Sequence, residues 1–206
     1  MKKYFITGIG TDVGKTFVSA IFTEALKADY WKPILAGNLD FTDTDEVKRL
    51  VSNKVSKFHP EIYKLKMPAS PHKAAKAEGI VVDPDKFILP ETSNSLIIEG
   101  AGGLMVPLSD SFLMIDLIKN LDAEVILVSM NYLGSINHTL LAAEALKLRN
   151  ISVKGIVFNG DSDEEGEKFI LNYSKLICLL HVEKEANITK DVVKNYSAIL
   201  NISHFF

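Results

Sequence analysis

The chain has only one cysteine, Cys178, among 206 residues, so no intramolecular disulfide can staple it and the small disulfide-built scaffolds are excluded. Long hydrophobic runs are missing as well: none approaches the roughly 20 residues of a membrane-spanning helix. The amino-terminal MKKYFITGIG has two lysines but only a short apolar run before its first glycine, less than the about 7–15 residues of a secretory core. Charge of one sign is lacking too. Lys and Arg number 23 against 26 Asp and Glu, a formal net charge of −3, which gives no overall attraction for nucleic acid or an acidic membrane. No Gly/Ser-rich linker or internal repeat divides the chain. These absences lead us to expect a cytoplasmic protein that engages neither nucleic acid nor membrane, with small molecules or protein as partners. With 47% hydrophobic residues the chain can bury one sizeable core, and a single domain over residues 1–206 is expected.

What is present is an alternation of two patterns. YFIT (4–7), YWKPIL (30–35), SLIIEG (95–100), EVILVSM (124–130) and VKGIVFN (153–159) are short, apolar and rich in Ile and Val, as strands covered on both faces are. Between them lie helical periods. Val18, Ile21, Phe22 and Ala25 share one face of residues 15–28, and Leu141, Ala145 and Leu148 share one face of 135–149. Strand and helix in alternation predict an α/β fold, a doubly wound, mostly parallel sheet flanked by helices. Residues 39–94 are acidic and proline-punctuated, and read as an excursion over the carboxyl ends of the strands, where such sheets place their sites. Cys178, within LICLL, reads as core packing.

The strand YFIT runs directly into GIGTDVGKT and then into the first helical pattern. The usual phosphate loop has four residues between its glycine and the Gly-Lys pair, and this one has five. The physics survives the extra residue. Backbone N–H groups of residues 10–16 converge at the positive end of a helix, Lys15 neutralises phosphate, and the Thr16 hydroxyl can ligate Mg²⁺. Such an ion takes one or two protein carboxylates. Glu99, at the end of the apolar SLII and just before GAGG, is one candidate, and Asp43 or Asp45 in TDTDEV is the other.

GIGTDVGKT with its five-residue spacing, YWKP, MPASPH, EGAGGLMVPLSD, LGSINH and IVFN occur in an order and at a spacing that resemble the dethiobiotin synthetases over about residues 1–160. The resemblance implies a P-loop NTPase-like fold, a homodimer, and a cyclo-ligase that uses ATP as co-substrate and Mg²⁺ as cofactor. Its other substrates would be 7,8-diaminopelargonic acid and CO₂ or bicarbonate. It implies Lys15, Lys32 and Thr11 as catalytic residues, and a nucleoside triphosphate held by Gly10, Thr11, Asp12, Val13, Gly14, Lys15, Thr16 and Phe17, with Asn159 reading the base edge. Thr16, Asp45 and Glu99 map onto its metal ligands, Asp45 being preferred to Asp43 because Val47 follows it as the next helix begins. Thr11, Lys32, Gly102 and Gly103 map onto substrate contacts, as do Leu133, Gly134, Ser135, Ile136 and Asn137 across the dimer interface.

Two departures from that family stand out. Ala36 occupies a place usually held by Ser or Thr, and LICLLHVEKEANI (176–188) replaces the family's base-adjacent segment. With Asn159 as the one identifiable base contact, weak discrimination between nucleotides is expected. His72 in SPH is assigned no chemical step. A different class, a partition or positioning ATPase acting as a nucleotide-driven switch, shares the loop but carries a second lysine early in it, where this chain reads Gly8-Ile9-Gly10.

Overall fold

A computed structural model describes residues 2–205. In chain order its elements are β1 (Lys3–Gly8), α1 (Lys15–Leu26), β2 (Asp29–Trp31), β3 (Ile34–Ala36), α2 (Asp43–Leu50), β4 (Phe58–His59), β5 (Tyr63–Leu65) and α3 (Pro71–Ala77). There follow β6 (Leu96–Gly103), α4 (Met114–Asn120), β7 (Glu124–Met130), α5 (Ser135–Leu148), β8 (Val153–Asn159), α6 (Glu164–Ser174), β9 (Cys178–Val182) and α7 (Lys190–Ile199). Seven strands form one sheet in the order β4-β2-β6-β1-β7-β8-β9, and every pairing in it is parallel. The expected α/β fold, a doubly wound parallel sheet between helices, is therefore what the chain adopts. Among the described residues, no helix is long and apolar enough to cross a membrane.

The apolar strands are explained by cover on both faces. Tyr4 and Ile6 of β1, Ile97 of β6 and Ile126 of β7 pack in one layer with Val18, Ile21 and Phe22 of α1. Phe5, Ile98 and Leu127, one residue out of phase, pack in the other layer with Ile115 and Ile118 of α4 and Leu146 of α5. The central β1 lies between β6 and β7, so the loop that leaves its carboxyl end opens where the sheet's connections diverge, the usual position of a ligand site.

Three expectations change. The run YWKPIL is not one strand: it breaks at Lys32-Pro33 into β2 and β3. Proline has no N–H for a ladder, and the Pro33 carbonyl instead accepts from Ile62 and Tyr63, starting a separate two-stranded sheet of β3 and β5. The expected apolar face of α5 is not the buried one. Leu141 and Leu148 are 60% and 80% exposed, while Ser135, Thr139, Ala143 and Leu146 face inward, and Thr139 Oγ1 meets Ser129 Oγ of β7 at 2.8 Å. Cys178 is exposed at the start of the edge strand β9 rather than packed in the core.

Candidate active site

The loop between β1 and α1 is shaped by two glycines. A Cβ on Gly8 would collide with the Val13 side chain; Gly14 has φ +90°, and a Cβ there would collide with the Asn159 amide. Asp12 also lies in the left-handed region, at φ +57°. Gly14 caps α1 without any side-chain hydrogen bond, so the first N–H groups of the helix stay available to an anion. Lys15 is 8% exposed and donates to the Gly10 carbonyl at 2.8 Å. Burial pushes its ammonium down to about 8, with Glu99 and Asp43 opposing the fall.

Opposite the loop, three elements bring charges together. Glu99 of β6 is 1% exposed and Lys32, just after β2, is 3% exposed. Lys32 Nζ lies 2.9 Å from Glu99 Oε1 and 2.8 Å from Asp43 Oδ2 of α2, and also donates to the Gly100 carbonyl. Burial alone would lower the Lys32 pKa, but Glu99 and Asp43 together outweigh it and raise it, so this ammonium stays charged. Thr16 Oγ1 is 3.0 Å from Glu99 Oε1 and 3.3 Å from Asp43 Oδ1. The second Glu99 oxygen accepts from Tyr30 OH at 3.0 Å, which fixes the carboxylate between two strands.

Asp45 does not join this cluster. Its carboxylate accepts from the Thr42 N–H and hydroxyl at 2.9 and 2.7 Å, while Thr42 Oγ1 accepts from the Asp45 N–H, a reciprocal cap on α2. The structure thus brings Asp43, rather than the expected Asp45, beside Lys32 and Thr16. The first residue of α2 points at the site and the third closes the helix end. Thr16, Asp43 and Glu99 form a hard-oxygen set with two carboxylates, which suits Mg²⁺ bound jointly with phosphate oxygens. Among the described residues, no group of three or more His, Cys, Asp or Glu could hold a metal ion alone.

A cavity of about 800 Å³ lies over the cluster, lined by Thr11, Asp12, Lys15, Lys32, Asp43 and Glu99 among others. Gly102 and Ala36 also reach it, whereas Gly103 packs its backbone against Gly8 and Gly10. A second cavity of about 380 Å³ adjoins it, sharing Gly14, Phe17 and Ile188. Asn159 lines this second cavity and donates to the Val13 carbonyl at 3.0 Å. Residues Leu133, Gly134, Ser135, Ile136 and Asn137 line neither cavity: Leu133 is fully exposed, and Gly134 starts α5 with no side-chain cap. His72 donates its N–H to Pro107 and does not line the larger cavity.

Sequence reasoning missed Tyr30 as the anchor of Glu99, for which one strand-borne tyrosine gave no signal. It also missed Asn131 and Glu183–Glu185, which reach the second cavity. Their position just after β7 and β9, at the same sheet edge as Asn159, was the available clue.

A family model described as an AAA domain matches residues 2–192. An ATP-dependent dethiobiotin synthetase from Cytophaga hutchinsonii is 57% identical over 201 residues, 97% of each chain. Enzymes of the same name from Christiangramia forsetii and Rhodopseudomonas palustris are 53% and 41% identical, over 95% and 98% of this chain and 94% and 95% of their own. Among solved structures, the cell division ATPase MinD of Pyrococcus furiosus superposes with a TM-score of 0.58 at 15% identity, covering 98% of this chain and 92% of that one. A ParA family ATPase of Chlorobium tepidum gives 0.55 at 11%, with the same coverage. At such identities these two establish a shared fold and nothing finer.

Proposed function

This chain belongs to the ATP-dependent dethiobiotin synthetase family, and from that premise we propose how its residues carry out the ATP-dependent cyclo-ligation of biotin synthesis. The observation that carries the reading is the pair of buried lysines, Lys15 and Lys32, which reach one cavity from opposite sides beside an uncapped helix N-terminus. Two fixed cations in a desolvated site suit a reaction in which negative charge passes from one group to the next.

The nucleotide phosphates lie along the N–H groups of residues 10–16, and the base enters the second cavity beside Asn159. One amine of 7,8-diaminopelargonic acid captures CO₂ as a carbamate in the larger cavity, between Lys15 and Lys32. The γ-phosphoryl passes to a carbamate oxygen. The second amine then attacks the carbamoyl carbon, phosphate leaves, and the five-membered ureido ring closes. Lys32, held protonated by Glu99 and Asp43, keeps its charge throughout. Lys15 exchanges the Gly10 carbonyl for phosphate oxygens. Thr11 and Gly102, both at the mouth, position the diamine. Thr16, Asp43 and Glu99 would hold Mg²⁺, which when bound would supply counter-charge to the phosphates.

The distal substrate carboxylate calls for a donor site, and residues 133–137 line neither cavity of their own protomer. The uncapped start of α5, residues 133–137, is such a site. We assign it to the cavity of a second copy, so that the working unit is a homodimer of one-domain chains. Exposed Leu133, Leu141 and Leu148 support this, since a row of bare leucines fits a partner better than water. The test is direct: with diamine, bicarbonate, Mg²⁺ and ATP, mass spectrometry should find the ureido product in a one-to-one ratio with ADP. ATP hydrolysis with no ring formed would overturn the reading.

A further inference from the structure

The second cavity contains a polar arrangement that the ligation chemistry leaves unused. Asn131 follows β7, Asn159 ends β8, and the register pairs Met130 with Asn159, which brings both carboxamides to one rim of the cavity. Asn131 Nδ2 donates to Glu167 Oε1 at 2.6 Å and to the Asp161 carbonyl at 2.9 Å. Both of its N–H bonds are thereby engaged. A flipped amide would set an acceptor oxygen against a carboxylate and a carbonyl, so the orientation is determined. Glu167, only 8% exposed, is itself held by the Asp163 N–H at 3.1 Å and by His181 Nε2 of β9 at 2.8 Å. What Asn131 retains for a ligand is its carbonyl oxygen, an acceptor.

Asn159 differs. One of its N–H bonds goes to Val13, which leaves an oxygen and a second N–H, and that combination can pair with an amino or a keto edge of a base. Asn131, acceptor only, removes the ambiguity. We propose that Asn131 is a specificity-determining residue, positioned by Glu167 and His181, that selects nucleobases with an amino group at purine C6 or pyrimidine C4, adenine and cytosine, over guanine and uracil, which carry a keto oxygen at that position. This rests on the reading of the second cavity as the base site, and it replaces the expectation of weak discrimination with selection by chemical class.

The test uses the wild-type protein with Mg²⁺ and calorimetric titration of ATP against inosine triphosphate, which carries a keto oxygen where ATP has its amino group, then CTP against UTP. Inorganic triphosphate serves as the base-independent reference. A keto oxygen facing a fixed acceptor loses a hydrogen bond and leaves it unpaired, so ATP should bind about 10–100-fold tighter than inosine triphosphate, with CTP over UTP in the same sense. Asn131→Ala should cut the ATP to inosine triphosphate ratio at least about fivefold without changing triphosphate affinity, and Glu167→Ala should do the same by freeing the Asn131 amide to turn. Equal affinities for ATP and inosine triphosphate, or an unchanged ratio in Asn131→Ala, would overturn the proposal while leaving the site reading in place. Nucleotides that bind no tighter than triphosphate would instead show that no base is held here, and the site reading would fail with it.

Discussion

Replacing Asp43 and Asp45 separately by alanine distinguishes a site carboxylate from a helix cap two residues away. Asp45 makes a reciprocal cap with Thr42 at the start of α2. Without its carboxylate the Thr42 hydroxyl still accepts from the residue 45 N–H, so the loss should lie near the lower end of the ~0.5–2 kcal/mol typical of caps. At about 2–4 °C per kcal/mol for a chain of this size, the melting temperature should fall by a few degrees at most, with activity retained. Asp43 Oδ2 lies 2.8 Å from Lys32 Nζ and Oδ1 lies 3.3 Å from Thr16 Oγ1. Its removal takes one of two carboxylates from the set proposed to bind Mg²⁺. Loss of even an outer partner of a metal ligand costs about 10–100-fold in metal affinity, so the Mg²⁺ concentration for half-maximal ligation should rise at least about tenfold. Both variants would be assayed for ligation across a Mg²⁺ titration and for thermal unfolding. A normal Mg²⁺ requirement in Asp43→Ala, together with a raised one in Asp45→Ala, would refute the reasoning and restore the assignment drawn from the sequence.

Lys15→Ala should abolish ligation while the protein stays folded, because the phosphate-loop ammonium stabilises transferring charge by on the order of several kcal/mol; steady-state turnover and circular dichroism check it, and near-normal turnover contradicts it. Leu141→Glu should shift a dimer toward monomer in sedimentation at micromolar protein and lower activity with it; an unchanged dimer would move the interface off this face of α5. Asp29 is fully buried and accepts from the Lys57 N–H, His59 and Asn94. Burial alone would raise its pKa, but these bonds and one from Thr92 outweigh it and hold the carboxyl below its usual range. Such a group contributes stability above the unfolded carboxylate pKa of about 3.9, and that contribution is lost as pH falls through the lower folded value. Asp29→Asn should therefore cost about 1–3 kcal/mol in urea unfolding at pH 7, and the difference should shrink below about pH 4; a gap independent of pH would contradict this origin.

The parts of the fold legible in the sequence were those with a physical signature spread over several residues. Runs such as EVILVSM must be apolar on both faces because helices cover both sides of a parallel sheet, and β7 begins and ends with that run. The phosphate loop was legible because glycines are required where side chains would collide, as at Gly8 and Gly14. The face of α5 was misread because periodicity reports an apolar stripe without saying what covers it; Leu141 and Leu148 look outward, while Ser135 and Thr139 make their hydrogen bonds inside. Asp43 and Asp45 could not be separated by spacing alone, since both lie in the first turn of α2 and only the docking of that helix aims one at Lys32. Asn131 and Glu167, 36 residues apart, meet only through the pairing of β7 with β8 and the return of α6, a long-range contact without a local pattern.

The most direct test of the central claim, that one cavity flanked by Lys15 and Lys32 drives phosphoryl transfer into ring closure, is a single-turnover reaction with ¹⁸O-labelled CO₂. Transfer of the γ-phosphoryl to a carbamate oxygen, followed by departure of phosphate, should place one labelled oxygen in inorganic phosphate and keep the other in the ureido carbonyl. Unlabelled phosphate would mean that water had taken the phosphoryl group, as in a nucleotide switch, and would contradict the account.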